Sequence, residues 1–278
     1  GANGMIGHAM FRILSQHKDL EVLGTVRSIH AKRFFSVDLA KNLIGDVDVG
    51  NQDAILRVAA DLRPDVVVNC IGVTKHIDSS KDPIVSIAMN ALLPHRLVKI
   101  CDAINARLIH ISTDCIFSGS TGSYVEDSPS DAIDLYGKSK FLGEISGPGV
   151  LTLRTSTIGH ELETSLGLLE WFLSQKSACT GFRRAIFSGL PSTVFAEVVK
   201  DHVISRPDLC GLYHLGAKAI DKYELLCLIA RIYGKSISIT PDDNFVMDRS
   251  FNSDRFKEAT GYIAPDWTEL IQSMHSSR

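Results

Sequence analysis

Apolar runs alternate with amphipathic stretches along the chain. Residues 65–72 form an almost continuous apolar run ending in glycine, which is typical of a parallel strand buried on both faces. Residues 108–112 predict another strand, while 53–62 and 84–103 predict helices, the second interrupted near Pro94. This alternation indicates a parallel sheet with helical crossovers and a ligand crevice at the carboxyl ends of its strands.

A glycine-rich motif opens the chain. Gly1, Gly4 and Gly7 have a G-x-x-G-x-x-G spacing that runs into a helical pattern. Such glycines let the backbone turn tightly and approach a pyrophosphate, which the N-terminus of the helix attracts. The residues predicted to contact a dinucleotide here are Gly1, Asn3, Gly4, Met5, Ile6 and Gly7. A strand normally precedes this motif, so we expect the first strand of the sheet to lie before Gly1 in the native chain.

The next strand carries the signal for cofactor choice. Residues 21–26 predict a strand that ends at Arg27, where an acidic residue would hold the ribose diol of NAD and an arginine suits the 2′-phosphate of NADP. This favours NADPH and leaves NADH possible, and an ordinary exposed arginine is the alternative interpretation. Further positions expected beside the cofactor are Asp46, Val47, Cys70, Ile71 and Gly72.

A tyrosine, a lysine and a threonine are candidates for catalysis. Tyr136 and Lys140 lie one turn apart in a predicted helix over 136–145 and would share a face. An adjacent ammonium favours the ionised phenol and lowers its pKa, which makes Tyr136 a candidate general acid or base. Thr113 follows the strand 108–112 and could bind the same carbonyl oxygen. Taken alone, Tyr-x-x-x-Lys is more simply interpreted as a chance pair on a solvated helix face, and the order and context of the motifs favour the catalytic interpretation.

Composition narrows the class of protein. With 278 residues, 45% of them hydrophobic, the chain can bury a large core, and a formal net charge of −3 gives no basic footprint for nucleic acid. Six cysteines without a C-x-x-C pair suggest a reduced, cytoplasmic compartment. The ten histidines lack metal-site spacing, so no metal is predicted. No membrane span and no membrane partner are expected.

Taken together, the motifs identify a family resemblance. The glycine motif, Ser112-Thr113-Asp114, Tyr136-Gly137-Lys138-Ser139-Lys140, Gly143-Glu144 and Leu153-Arg154-Thr155-Ser156 occur in order. With them the sequence resembles the extended short-chain dehydrogenase/reductases, and among these the dTDP-4-dehydrorhamnose reductase group. The resemblance implies an α/β Rossmann fold, a doubly wound parallel sheet with a smaller α/β C-terminal substrate domain. Residues 1–160 would form the first domain and 161–278 the second, with about 189–216 returning to the Rossmann side.

The resemblance also implies an activity. It predicts an NADPH-dependent reductase of a nucleotide-linked 4-keto-6-deoxysugar, in deoxysugar and surface polysaccharide biosynthesis. Tyr136 would deliver the proton, Lys140 would bind the nicotinamide ribose, and Thr113 would steady the carbonyl. A homodimer is expected from the resemblance alone. The alternatives are a nucleotide-sugar epimerase or dehydratase, and a non-catalytic NADP-binding regulatory subunit, because the group includes the partner of a methionine adenosyltransferase.

The substrate side is less specific. Arginines suit diphosphates through planar, paired hydrogen bonds, so candidates for the nucleotide diphosphate, each equally well merely solvated, are Arg183, Arg184 and Arg249. Other predicted substrate contacts are Thr74, Lys75, Asp114, Cys115 and Phe117. Cys115 and Thr157 replace aromatic residues of the rhamnose enzymes, which leaves the particular sugar open. Trp171 and Phe172 are expected to be core residues rather than base-stacking platforms.

Overall fold

A four-stranded parallel sheet with helices on both faces forms the centre of the protein. The computed structural model describes residues 1–74 and 81–277. The strands are β1 (Gly24–Thr25), β2 (Leu43–Ile44), β3 (Val66–Asn69), β4 (Arg107–Thr113), β5 (Val150–Thr155), β6 (Thr157–Ile158), β7 (Ala178–Phe182), β8 (Ala185–Phe187), β9 (Leu190–Pro191), β10 (Gly211–His214), β11 (Ile220–Asp221), β12 (Ser238–Asp242) and β13 (Met247–Asp248). The central sheet has the order β10-β5-β4-β3.

The helices complete the alternation of elements along the chain. They are α1 (Met5–Leu14), α2 (Val37–Lys41), α3 (Gln52–Leu62), α4 (Pro83–Ser86), α5 (Leu93–Ile104), α6 (Leu135–Leu142), α7 (Leu168–Ser174), α8 (Ser192–Val198), α9 (Lys222–Ile232), α10 (Asp254–Thr260) and α11 (Trp267–Ser276). Short 3₁₀ segments at Ile29–Phe34 and Asp114–Ile116 and π segments at Ile87–Leu92 and Val199–Val203 lie between them.

Strand β4 divides the core into two layers. All seven of its residues are buried. Successive strand side chains point to opposite faces, and accordingly Leu108 packs with the cluster of α3 and α5, whereas Ile109 and Ile111 pack with the larger cluster that includes α1, α8 and α11. The sheet is therefore covered on both sides, as the alternating pattern predicted.

Strands β1 and β3 differ from their predictions. Of the predicted strand 21–26, only Gly24 and Thr25 form a strand, which pairs with β2. Residues 21–23 have no strand partner in the described part of the chain. Val66–Asn69 lies at the edge of the central sheet, and its three valines are half-buried rather than buried on both faces. The 3₁₀ turn Ile29–Phe34 and helix α2 were not predicted, since their short, mixed sequences lack a clear period.

A π segment accommodates Pro94 within one long helix. Pro94 has no N–H for the carbonyl of Asn90, four residues earlier, and a proline inside a helix disturbs that bond. Here α4, the π segment and α5 run on continuously from Pro83 to Ile104, and the wider π turn absorbs the misfit. The predicted interruption is thus a change of helical period rather than a break.

This long helix corrects the expectation that no apolar run reaches the length of a membrane span. Pro83–Ile104 is long and apolar enough by composition, with a mean hydropathy of 1.3 over its most apolar window, 44% of which is buried. Ser86 and Asn90 on it are fully buried polar residues, and α5 packs on β4. These contacts are those of a core helix.

The C-terminal half contains two small sheets, termed the second lobe, and also returns to the central sheet. β7 pairs with β12, and β8 pairs with β11 and β13. Between these, β9 pairs with β6, α8 packs on α1, and β10 pairs with β5. Helix α9 begins at its cap Asp221, whose carboxylate accepts from Glu224 N at 2.8 Å, and ends before Gly234, which has a φ of +64°. A capping carboxylate and a glycine with positive φ are the usual signals for the two ends of a helix.

Candidate active site

Helix α6 carries the two charged or ionisable candidates and lies tightly against its neighbours. Asp134 caps it by accepting from Gly137 N at 2.7 Å. A Cβ at Gly137 would lie 2.2 Å from the carbonyl oxygen of Cys115, and one at Gly143 would lie 1.9 Å from that of Asn90. Only glycine permits such an approach at either position. The helix ends at Leu142, three residues before the predicted end at residue 145.

The structure brings Thr113 and Tyr136 together. Thr113 is the last residue of β4, and its hydroxyl lies near enough to the phenol of Tyr136 to lower the pKa of that group. The same oxygen accepts from Cys115 N at 3.1 Å and donates to the Asp114 carboxylate at 3.1 Å. Lys140 is buried one turn along α6 and donates from Nζ to the carbonyl of Ile111 at 2.7 Å.

The pKa values of this pair are set mainly by burial. Burial raises the pKa of Tyr136, the neighbouring Cys115 raises it further, and the hydrogen bond with Thr113 opposes the rise. The expected lowering of the pKa of Tyr136 by Lys140 is not seen, since Lys140 is directed to the backbone of β4. Burial lowers the pKa of Lys140 to about 8, against the opposing effect of the Glu144 carboxylate. The phenol therefore holds its proton at neutral pH.

An asparagine that sequence reasoning missed connects α6 to the loop after β3. Asn90, fully buried on the π segment, accepts from Val73 N at 2.8 Å and donates to Val73 O at 3.0 Å. It also donates to Ser139 Oγ at 3.1 Å. Its one sequence signal is a polar residue inside an apolar helical run. This amide holds the Gly72 loop and the helix of Tyr136 in one arrangement.

The glycine motif has the geometry of a dinucleotide loop. Gly4 is the N-cap of α1 and contributes no side-chain cap, so the helix N-terminus is open to an anion. A Cβ at Gly7 would lie 2.0 Å from the carbonyl oxygen of Gly1. Across the sheet edge, Gly72 is exposed, and a Cβ there would lie 3.8 Å from Lys140 Nζ. The residues present therefore fit a nicotinamide dinucleotide.

Other predicted cofactor positions lie around the same edge. Arg27 is exposed just after β1. Asp46 and Val47 come after β2 rather than within it; Asp46 has a φ of +58° and accepts from Ile29 N at 3.1 Å, and Val47 N donates to Val26 O at 3.1 Å. Cys70 and Ile71 are half-buried beyond β3, and burial raises the pKa of the Cys70 thiol to about 11.

Arg249 reaches the catalytic end of the sheet from the second lobe. It is 9% exposed, and its Nη1 donates to Cys115 Sγ at 3.2 Å. Its Nε is buried without a hydrogen-bond partner in the described structure. Cys115 is itself buried, directly after the half-buried Asp114. Of the three candidate arginines, Arg249 alone is buried at the site of Thr113 and Tyr136.

The other two arginines and Phe117 are placed differently. Arg183 and Arg184 are exposed between β7 and β8, and Arg183 pairs with Asp243 at 2.9 Å. The prediction that Phe117 binds substrate is wrong, because its side chain is fully buried and stacks on Tyr124 with ring centroids 4.0 Å apart. An apolar ring in a polar loop can close a core as well as contact a ligand.

The remaining predictions divide between core and surface. Thr74 is exposed, and Lys75 and His76 lie outside the described residues. Phe172 is fully buried, as expected, but Trp171 is 37% exposed, so its assignment to the core is wrong. Trp171 directly precedes Phe172 on α7, and its side chain lies on the exposed side of that helix.

Three of the histidines lie in buried or hydrogen-bonded positions. His110 and His214 are fully buried, and His160 pairs with Glu170 at 2.6 Å. Within residues 1–74 and 81–277, no group of three or more His, Cys, Asp or Glu side chains could hold a metal ion.

Comparison with known proteins establishes the family. The family model described as RmlD substrate binding domain matches residues 1–167. The chain belongs to this family, and the resemblance to the dTDP-4-dehydrorhamnose reductase group is confirmed.

Relatives with different names match it. Methionine adenosyltransferase 2 subunit beta of Xenopus laevis is 25% identical over 251 residues, 83% of this chain and 70% of that protein. A dTDP-4-dehydrorhamnose reductase of Burkholderia thailandensis is 31% identical over 163 residues, 57% of this chain and 48% of that enzyme.

A solved structure confirms the predicted fold. The dTDP-4-dehydrorhamnose reductase of Bacillus anthracis in complex with NADP has a TM-score of 0.78 and 17% identity, covering 100% of this chain and 97% of that one. The α/β fold with its parallel sheet is therefore shared along the whole length. An identity of 17% supports the shared fold and says nothing of the substrate.

Proposed function

We propose that this protein is an NADPH-dependent reductase of a nucleotide-linked 4-keto-6-deoxysugar, as its dTDP-4-dehydrorhamnose reductase relatives are named. The observation that carries the proposal is the placement of Thr113, at the carboxyl end of β4, beside Tyr136 on α6, with Lys140 buried one turn away. These are the groups that a ketone reduction needs around the carbonyl oxygen. Membership in the RmlD substrate binding domain family supports it.

In this mechanism Tyr136 donates the proton. Its raised pKa keeps the phenol protonated at neutral pH, which is the form required to protonate the oxygen of a ketone as it becomes an alkoxide. The hydroxyl of Thr113 lies beside the phenol and would donate to the same substrate oxygen. Lys140, whose Nζ donates to the carbonyl of Ile111, would bind the nicotinamide ribose.

NADPH, when bound, would supply the hydride. The glycine motif from Gly1 to Gly7 would hold its pyrophosphate, the exposed Gly72 would let it pass beside Lys140, and Arg27 would bind the 2′-phosphate. Asp46 and Val47 would flank the adenine. NADH remains the alternative cofactor if Arg27 is only an exposed side chain.

For the substrate, we assign the diphosphate to Arg249 in the first place. Its buried guanidinium has an unpartnered Nε at the catalytic end of the sheet, and a buried donor of this kind favours an anionic or acceptor ligand. Asp114, Cys115 and Thr74 would border the sugar. Arg183 and Arg184 would contact the nucleotide only from the surface. Residues 161–278 would thus mainly bind substrate, with 189–216 completing the Rossmann side.

The wider setting follows from this activity. A reductase of deoxysugar nucleotides would act in the cytoplasm, in deoxysugar or surface polysaccharide biosynthesis. We further propose that the protein forms a homodimer.

The test is a spectrophotometric assay of the full-length protein. NADPH is mixed with a panel of nucleotide-linked 4-keto-6-deoxysugars, and the absorbance of the reduced nicotinamide is followed. Net oxidation that depends on the sugar supports a reductase. Conversion of the sugar without net oxidation would indicate an epimerase or dehydratase, which recycles its hydride.

A regulatory subunit is the second candidate, because the match to methionine adenosyltransferase 2 subunit beta covers 83% of this chain. In that case the dinucleotide site would serve binding alone. The discriminating result would be tight NADPH binding without turnover on any sugar of the panel, together with a change in the kinetics of an added methionine adenosyltransferase catalytic subunit.

A further inference from the structure

A buried carboxylate lies directly behind the three proposed catalytic groups. Glu144 follows the end of α6, one turn after Lys140, and its side chain is 9% exposed. It accepts from Ser112 Oγ at 2.5 Å, from Arg154 Nε at 2.9 Å and from Arg154 Nη2 at 2.8 Å. Three charge-assisted hydrogen bonds to one buried carboxylate fix its position.

The partners of this carboxylate belong to the elements that carry the catalytic groups. Ser112 immediately precedes Thr113 on β4, and it pairs in register with Arg154 on β5. Glu144 itself lies two residues beyond the end of α6, the helix that carries Lys140. One carboxylate therefore connects the strand of the threonine, the neighbouring strand and the helix of the tyrosine and lysine.

The network continues on the far side of Arg154. Its Nη1 donates to the carbonyl of Glu126 at 2.9 Å and contacts His214 Nε2 at 3.1 Å. The Glu126 carboxylate accepts from His214 N at 2.8 Å. Because β10 carries His214, the orientation of the arginine is fixed by a third strand. Glu144 thus faces a rigid cation and not a mobile one.

The charge of Glu144 also acts on Lys140. Burial lowers the pKa of Lys140, and the Glu144 carboxylate is the largest influence that raises it, followed by Cys70. His110 on β4 is the other titratable group near the ammonium, and burial and the lysine together hold the pKa of this imidazole well below its ordinary value. Among these neighbours only Glu144 carries a negative charge near neutral pH, since burial raises the pKa of Cys70 to about 11.

We propose that Glu144 is a positioning residue of the reduction, which fixes Lys140 and Thr113 relative to each other and keeps the ammonium group of Lys140 charged. The proposal rests on the proposed reductase function. A purely structural role, in which the pair with Arg154 only holds the fold together, is the competing explanation.

The test uses a variant that removes both charges of the buried pair, Glu144→Gln/Arg154→Gln. Changing Glu144 alone would leave a buried arginine without its partner, which is strongly destabilising. The matched control is Arg206→Gln/Asp208→Asn, which removes an exposed pair with an N–O distance of 2.8 Å. NADPH binding is measured by fluorescence from about pH 6 to pH 9.5, and turnover is measured over the same range. The range spans the midpoint expected for a lysine whose pKa is lowered by burial.

We expect NADPH binding to weaken as Lys140 loses its proton, with a midpoint near pH 8 in the unmodified protein. In the Gln/Gln variant the midpoint should move to lower pH, because the carboxylate of Glu144 is the largest influence that raises the pKa of Lys140. The control pair should leave it in place. A Gln/Gln variant that is less stable but has an unshifted midpoint would overturn the proposal.

A second variant keeps the experiment decisive if the Gln/Gln variant does not fold. Ser112→Ala retains both charges and removes only the bond from β4 to Glu144. It should lower kcat several-fold without moving the pH midpoint or KM, and an unchanged kcat would refute the positioning role. If the unmodified protein binds NADPH without oxidising it, the reductase proposal fails, and the midpoint of binding still decides the role of Glu144.

Discussion

The catalytic wall, formed by β4, β5 and α6, and the outer strands β7 and β12 of the second lobe are built on opposite principles. Every residue of β4 and β5 is buried, whereas most residues of β7 and β12 are exposed or half-buried. A buried polar group must find a partner, so Glu144 and Asn90 are each held by several hydrogen bonds. An exposed group such as Arg183 can turn to water.

The difference indicates where substitutions will matter. In the catalytic wall, the close-packed neighbours cannot move to accommodate an added atom or the loss of a charge. In the outer strands the same change is absorbed by solvent and flexible side chains. The following predictions test this contrast in order of decreasing effect.

The largest effect is expected at the proton donor. Tyr136→Phe should lower turnover about 10²–10⁴-fold, because the ring remains and only the acid is lost, while NADPH binding stays nearly unchanged. Steady-state kinetics and a fluorescence titration measure both. Tyr223→Phe on α9 is the matched control and should keep full turnover. Unaltered turnover in Tyr136→Phe would remove the acid role.

Packing behind the donor should be nearly as sensitive. Gly143→Ala places a Cβ 1.9 Å from the carbonyl oxygen of Asn90, and we expect a loss of about 1–3 kcal/mol in the free energy of unfolding. Gly147→Ala is the control, since no atom lies within 4 Å of its Cβ position. Urea unfolding compares them, and equal stabilities would show that α6 can move away from the long helix.

The buried lysine should make stability depend on pH. The folded pKa of Lys140 is lowered to about 8 from 10.5, so between these values the unfolded chain binds more protons and the free energy of unfolding rises with pH. Below about pH 8 both states are protonated and this rise is absent. In Lys140→Met, the free energy of unfolding measured with urea should no longer rise between pH 8 and about pH 10. In Lys41→Met, at the surface, the rise should remain. A constant difference between Lys140→Met and the unmodified protein at every pH would contradict this prediction.

Removing the exposed charge of Arg27 should change cofactor binding and leave the stability of the fold unchanged. Arg27→Ala should reduce the preference for NADPH over NADH by about tenfold, the value of one charge-assisted contact, with little change in unfolding. Binding constants for both cofactors measure the ratio. If the ratio does not change, Arg27 does not contact the 2′-phosphate.

The smallest effect is expected in the outer strands. Arg183→Gln breaks an exposed pair with Asp243 and should change the free energy of unfolding by less than about 1 kcal/mol, with at most a few-fold rise in the KM for the sugar nucleotide. Arg206→Gln, in another exposed pair, should leave KM unchanged. A large loss of stability in Arg183→Gln would show that the outer strands are as constrained as the wall.

Sequence patterns predicted the wall well and the site partly. Thr113, Tyr136 and Lys140 could be placed because a buried strand and a helical period fix where such residues point. Phe117 and Trp171 were misplaced, since an aromatic ring carries the same apolar signal whether it closes a core or lies at a surface. Asn90 and Glu144 could not be assigned a partner, because their hydrogen bonds join segments that are distant in sequence.

The wide turn at Ile87–Leu92 has a consequence for the phase of the long helix. One extra residue in a turn rotates everything after it by about 100° around the axis. The π segment and the stretch after it can therefore contact different neighbours: Asn90 bonds with Val73 and Ser139, while Leu93 and Leu97 pack in the layer on one face of the sheet. One long helix thereby both holds the loop that follows β3 and fills part of the hydrophobic interior.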